Sequence, residues 1–274
     1  MGFGGLGMLL EKLNLIKDWK APVIPSDIPH GDMPGDKVEI NEGHVMKANV
    51  IFPRLLELMK EEAGKGKEKI VITVCGGSGV GKSEIASILS FYLTSAGIKS
   101  YTLSGDNYPR RIPMHNDAER LRVYEEEGRA GLEAYLGSDK EINFKEIEKI
   151  ALDFKEGVSP ISLRRLGRKE DELWYDDVDF SDTDVLIIEW THGNSDNYKG
   201  VDIPILLNST PKETLEHRRA RNRDGATDSP FTTMVLEIEQ GQIKSQAHKA
   251  KIIISKQGEL LSFDEYQKLM EAEK

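Results

Sequence analysis

One stretch constrains this chain more than any other. Gly76-Gly77-Ser78-Gly79-Val80-Gly81-Lys82-Ser83 matches G-x-x-x-x-G-K-[ST] at every position. The glycines let the backbone curl so that successive N–H groups converge on an anion. Just before it, Ile70–Val74 is a short β-branched run that reads as a buried strand. Just after it, Glu84–Ala96 has helical spacing, with Ile85, Ile88, Leu89 and Tyr92 on one face and Gly97 as the stop. A strand, a glycine loop and a helix N-terminus in that order form a phosphate site. The loop is therefore expected to bind a nucleoside triphosphate. Gly77, Ser78, Gly79, Val80 and Gly81 cradle the phosphates, Lys82 reaches the outer ones, and the Ser83 hydroxyl meets a magnesium ion.

The rest of the chain fits that start. Ile98–Leu103, Asp184–Ile188, Ile203–Leu207 and Lys251–Ile254 read as further strands. Helical spacing occupies Asn116–Tyr135, Phe144–Phe154, Lys212–Arg223 and Phe263–Ala272. Strands interleaved with helices predict an α/β fold, a three-layer sandwich with a parallel sheet and helices on both faces. Residues 1–68 differ. Ala21–Gly35 holds four prolines and two glycines and reads as loop, and Val50–Glu62 has helical spacing. They are expected to form an N-terminal extension packed on a main domain at 69–274.

The formal charge of −10 argues against nucleic acid or an anionic membrane surface as partner. No apolar run approaches the ~18 residues of a membrane span. The single cysteine, Cys75, forbids an internal disulfide and fits a cytoplasmic setting. It reads as a small filler beside the loop. A homodimer is kept open as the assembly.

Two absences narrow the class. There is no N-K-x-D guanine motif, and the partial L-S-G match at Leu103–Gly105 lies on the wrong element for a transporter ATPase. Both favour a small-molecule kinase. Strand Ile98–Leu103 ends in Ser104-Gly105-Asp106-Asn107-Tyr108. Ligands of such sheets sit at the carboxyl ends of the strands. Asp106 should thus stand near the phosphate loop, where a carboxylate can take the proton of an attacking hydroxyl; the alternative is a turn cap.

On the phosphate loop, Asp106-Asn107-Tyr108, Val185-Leu-Ile-Ile-Glu189 and the Arg-rich run at 217–224, the chain resembles P-loop kinases of the uridine kinase, phosphoribulokinase and bacterial pantothenate kinase type from about Ile70 to Ile254. The resemblance implies ATP as donor, magnesium, and transfer to a hydroxyl of a small metabolite. It implies Asp106 as catalytic base, Glu189 as a ligand of substrate or metal, and an Arg-rich lid with Arg219 and Arg223 as clamps and Arg218 and Arg221 beside them. An alternative for the arginines is a solvated face paired with Glu213 and Glu216.

The chain departs from that family at Ser159–Arg165, where uridine kinases carry Pro-x-Tyr-Asp-Phe, and at Trp190-Thr191-His192-Gly193, where Gly more often follows the Glu directly. Trp190 is expected to shape the acceptor pocket. Tyr108, Arg164, Arg165 and His192 join Asp106 and Glu189 as acceptor-site candidates. The arginines suit an anionic acceptor or a charge-balanced surface loop. The acidic run from Asp176 to Asp184 lacks the glycine and closing glutamate of a calcium loop and reads as a solvated turn. The rival to a kinase is a regulatory ATPase with no small-molecule acceptor.

Overall fold

A computed structural model describes residues 7–169, 171–210, 213–214 and 229–272. The elements run α1 (Met8–Leu15), α2 (Glu42–Gly64), β1 (Ile70–Gly76), α3 (Lys82–Ser95), β2 (Ser100–Ser104), α4 (Pro113–Tyr135), α5 (Phe144–Lys155), β3 (Ile161–Leu166), β4 (Leu173–Val178), β5 (Val185–Trp190), β6 (Ile203–Leu207), α6 (Pro230–Gln246), β7 (Ile252–Ile254), β8 (Leu260–Leu261) and α7 (Phe263–Ala272).

The main sheet has the order β2-β5-β1-β6-β7-β8. Its first five strands are parallel, and β8 pairs antiparallel at the edge. Successive side chains of a strand point to opposite faces. Ile70, Ile72 and Val74 of β1, Val185 and Ile187 of β5, and Ile203 and Ile205 of β6 face one core, shared with α1, α2 and α3. Val71, Leu186, Ile188 and Trp190 face the other, with Phe144, Ile147 and Phe154 of α5. Both faces are covered, as the continuous apolar strands predict.

Residues 7–64 contribute directly to the first core. Ile51, Phe52, Leu55 and Met59 of α2 are fully buried against the sheet, each worth about 1.5–3 kcal/mol of transfer free energy. The helix is longer than its apolar spacing suggests. It begins at Glu42, where Asn41 accepts from the His44 backbone and His44 accepts in return from the Asn41 N–H. That reciprocal cap fixes the start some eight residues ahead of Val50.

Three expectations differ from the structure. Ser159–Arg165 and the acidic run do not form a loop and a turn: β3 and β4 pair antiparallel as a hairpin outside the main sheet, with Arg165 opposite Trp174 and Leu163 opposite Asp176. Asp184 is buried rather than solvated, because it takes Lys12 Nζ at 2.7 Å and caps the Lys99 N–H at 2.9 Å. Helix α4 is interrupted at Gly128, whose φ of +67° is left-handed. The expected helix Lys212–Arg223 lies, but for residues 213 and 214, outside the described residues. No helix among them is long and apolar enough to cross a membrane.

Candidate active site

The phosphate loop joins the carboxyl end of β1 to the N-terminus of α3, at the centre of the sheet. A side chain at Gly76 would meet the Leu207 carbonyl at 2.8 Å, so the strand end passes too close to β6 for any other residue. Gly81 caps α3 in a left-handed conformation at φ +93°. His44 of α2 packs against it, 2.8 Å from where a Cβ would stand. Lys82 folds back over the loop, with Nζ donating to the Gly77 carbonyl at 3.2 Å. Helix α6 lies across the other side, with Gln240 Oε1 3.5 Å from where a Cβ on Gly77 would stand. Cys75 is fully buried, donates to the Thr191 carbonyl, and has its thiol pushed up to about 11 by burial, so it is the inert filler its position suggests.

Glu189, next to last in β5, stands beside this loop. In register it sits between Val74 of β1 and Ser104 of β2. Its two oxygens are held separately: Ser104 Oγ donates to Oε1 at 2.5 Å and Ser83 Oγ to Oε2 at 3.3 Å. The carboxyl is buried, and burial together with the nearby Asp106 charge pushes its pKa up to about 8; Lys82 and the two hydroxyls oppose that rise. Asp106 follows Ser104 in a three-residue 3₁₀ turn, Gly105–Asn107, and is exposed. The phosphate loop, Glu189 and Asp106 therefore lie together at the carboxyl edge of β1, β5 and β2.

Other candidates are placed differently. Tyr108 is completely buried beside Phe144, so its ring belongs to the core and not to an acceptor surface. Arg164 donates to the Pro109 carbonyl at 2.7 Å. Arg165 is ion-paired with Asp32 at 2.7 Å and with Asp176 at 3.1 Å. The Arg165 guanidinium is committed to two carboxylates, whereas the buried Nε of Arg164 has no hydrogen-bond partner. Trp190 lies in the core below the Asp106 turn, where a Cβ on Gly105 would fall 2.0 Å from its Cγ. It shapes the site from beneath. Arg218, Arg219, Arg221 and Arg223 lie outside the described residues.

His192 is 9% exposed, edge-on to Trp190 at 5.3 Å and close to Gly137. Burial lowers its pKa to about 4, against the pull of Glu141, so the imidazole is neutral. It borders a buried network that sequence reasoning missed. Glu141 accepts from Arg120 Nε at 2.6 Å, from Asn116 at 3.2 Å and from the Gly137 N–H at 2.7 Å. Arg120 also reaches Glu239 of α6 at 3.7 Å. Glu239, in turn, has its pKa raised by burial, with Lys82 and Asp106 both contributing to its field. In an acidic helix Arg120 reads as a surface i,i+3 or i,i+4 partner, and no local pattern points to Glu141. Among the described residues no cluster of three or more histidine, cysteine or carboxylate side chains could hold a metal by itself.

Residues 71–228, more than half of the chain, match the profile of the Phosphoribulokinase / Uridine kinase family. Over 195 residues the sequence is 46% identical to the bifunctional alpha-galactosidase/sucrose kinase AgaSK of Mediterraneibacter gnavus, a match that takes in 71% of this chain and 21% of that protein. The chain thus spans about a fifth of the length of that relative. Among solved structures it resembles phosphoribulokinase from Rhodobacter spheroides, with a TM-score of 0.52 at 18% identity over 69% of this chain and 70% of that one. It also resembles a kinase ascribed to a fructose transport system in Silicibacter sp. TM1040, with a TM-score of 0.50 at 16% identity over 74% of this chain and 92% of that one. At those identities the likeness is one of fold.

Proposed function

The chain belongs to the Phosphoribulokinase / Uridine kinase family, and from that premise we propose that it is an ATP-dependent kinase that phosphorylates a hydroxyl group of a neutral sugar. The observation that carries the reading is the bridge Ser83–Glu189–Ser104, which ties the phosphate loop to the end of β2 where Asp106 projects. Donor phosphates and acceptor hydroxyl are then neighbours. Phosphoryl transfer asks mainly for such positioning and for charge neutralisation.

In this reading Lys82 neutralises the outer phosphates and the N–H groups of Gly77–Gly81 cradle them. Asp106 accepts the proton of the acceptor hydroxyl as it attacks. The donor set of Ser83 Oγ and the Glu189 carboxylate suits magnesium, which takes one or two protein oxygens and fills the rest of its shell with water and phosphate. A buried carboxyl pushed up to about 8 is also one that a cation would relieve. Bound there, the metal would supply charge neutralisation. Arg218, Arg219, Arg221 and Arg223 would close over the phosphates. Residues 69–274 carry these groups, with residues 1–68 as the extension that supports them, in a cytoplasmic enzyme.

Two observations favour a neutral acceptor over an anionic one. Arg165 is spent on Asp32 and Asp176, and the groups that surround the transfer point include Asp106, Glu189 and Glu239. The relative at 46% identity is named as a sucrose kinase, which fits a sugar hydroxyl. ADP release from ATP, measured alone and with sucrose, fructose, glucose, a nucleoside or a pantothenate-like acid, tests the reading. Release should stay near background until a sugar is added. Fast hydrolysis that ignores every acceptor would mark a regulatory ATPase instead.

A further inference from the structure

The Pro-rich N-terminal stretch delivers one carboxylate to the back of the Asp106 turn. Asp32 lies 72 positions before Ser104, yet its side chain is 9% exposed and meets four donors. Oδ1 accepts from the Ser104 backbone N–H at 2.7 Å and from Asn107 Nδ2 at 3.3 Å. Oδ2 accepts from Arg165 at 2.7 Å and from the Tyr101 hydroxyl at 2.9 Å. The Asn107 side-chain oxygen in turn accepts from the Leu166 N–H at 3.0 Å.

The arrangement brackets Asp106. Ser104 and Asn107 stand on either side of the Gly105-Asp106 dipeptide, and one oxygen of Asp32 holds both. The turn itself is three residues of 3₁₀ helix, whose last bond runs from the Tyr108 N–H to the Gly105 carbonyl at 3.0 Å. Such turns have poor hydrogen-bond geometry and rarely hold a shape alone. The other oxygen of Asp32 reaches the β3–β4 hairpin through Arg165. Burial raises the carboxyl's pKa, while the Ser104 N–H and Arg165 oppose that rise, so a costly group is kept where it touches the turn from outside.

We infer that Asp32 is a positioning residue for phosphoryl transfer: it fixes the turn that aims Asp106 and locks that turn to the β3–β4 hairpin. The inference rests on the proposed role of Asp106. It makes the N-terminal segment a working part of the acceptor side of the site. The effect is one of placement, since a displacement of about 1 Å at a reacting group can cost ~100-fold in rate.

Two double variants separate aiming from simple packing. Asp32→Asn with Arg165→Met removes both buried charges together, leaves neither uncompensated, and keeps Oδ1 on the Ser104 N–H. Asp32→Ala with Arg165→Met removes that acceptor as well. Sugar-dependent ADP release is measured for each, per site able to bind nucleotide, so that an unfolded fraction does not count. The Ala/Met form should have a kcat about tenfold or more below the Asn/Met form, with KM for ATP within about twofold between them. Equal kcat values overturn the inference, and so does a loss that appears only in KM for ATP. Asp106→Asn in the otherwise unaltered chain is measured alongside. Normal turnover there removes the reading of Asp106 and this inference with it. Impaired turnover there, with equal double variants, removes this inference alone.

Discussion

Ser104 and Glu189 stand side by side in the register of β2 and β5, and the Ser104 hydroxyl donates to Glu189 Oε1 at 2.5 Å. A hydrogen bond to a charged group contributes about 1.5–3 kcal/mol, against ~1.4 kcal/mol per factor of ten in rate. Ser104→Ala leaves the Ser83 bond in place and takes the other away. The carboxylate form of Glu189 loses support in a buried site already hostile to charge. On the proposed role of Glu189, kcat should fall about tenfold and half-saturation in magnesium should move to higher concentration. A titration of activity against magnesium at fixed ATP reads both. An unchanged magnesium profile would separate Ser104 from the metal.

Gly105 has no room for a side chain. Its Cβ would stand 2.0 Å from Trp190 Cγ and 2.3 Å from Cδ2, and Trp190 is itself wedged against Phe144 at 5.4 Å and His192 at 5.3 Å. Gly105→Ala must therefore push the Asp106 turn outward or deform the core. Overpacking of this kind costs about 1–3 kcal/mol of stability, and kcat should drop by about tenfold or more through displacement of Asp106. Adding Trp190→Ala removes the Cγ and both Cδ atoms that the new Cβ would strike, and should restore part of the activity that Gly105→Ala removes, at a further cost of about 3–5 kcal/mol in stability. Failure of that rescue, at equal folded fraction, would show that the collision is not what governs the turn.

The sequence disclosed what is local and periodic. The phosphate loop is a contiguous pattern between a β-branched run and a helical face, and β1, β5, β6 and β7 are short runs rich in β-branched and other apolar residues, whereas β2, Ser-Tyr-Thr-Leu-Ser, shows itself mainly by its place after the glycine that stops α3. The partners of the site were hidden for the opposite reason. Asp32 and Arg165 meet across 133 positions, and nothing in a proline-rich stretch marks one aspartate as buried. The hairpin was concealed because β4, Leu173–Val178, is exposed nearly throughout and reads as an acidic turn. Its Asp176 is held by Arg165, a contact with no periodic trace. Tyr108 misled in a different way: its place next to Asp106 in sequence suggests the same surface, but neighbours along a chain can face opposite ways, and this one points into the core.

Asp106→Asn tests the chemistry most directly. The side chain is exposed and keeps nearly the same shape as an amide, so the fold should be untouched. ATP affinity should hold or improve, because a negative charge near the phosphates is removed. Sugar-dependent turnover should fall by about 10²–10⁴-fold, the usual scale for loss of a general base. Equilibrium nucleotide binding and steady-state ADP release together make the measurement. Loss of ATP binding in step with turnover would place Asp106 in nucleotide binding and not in proton transfer.

The buried imidazole of His192 gives the protein a pH dependence that can be assigned. Burial depresses its pKa to about 4, although Glu141 pulls the other way, while the unfolded chain has the ordinary value near 6.5. Between those values the unfolded state binds more protons than the folded one. Stability therefore rises with pH through that window and is lost as pH falls from about 6.5 towards 4. Arg120 and Lys82 oppose a charge at this position, and Glu141 and Asp106 favour it; burial outweighs them all. A shift of this size is worth up to about 3 kcal/mol, at ~1.4 kcal/mol per unit. His192→Gln removes the titrating group. Urea midpoints measured from pH 4.5 to 7.5 should slope less steeply in the variant than in the parent over the acid half of that range. Parallel slopes would mean that the imidazole is protonated in the folded protein as readily as in water, and that its place beside Trp190 is wetter than the packing implies.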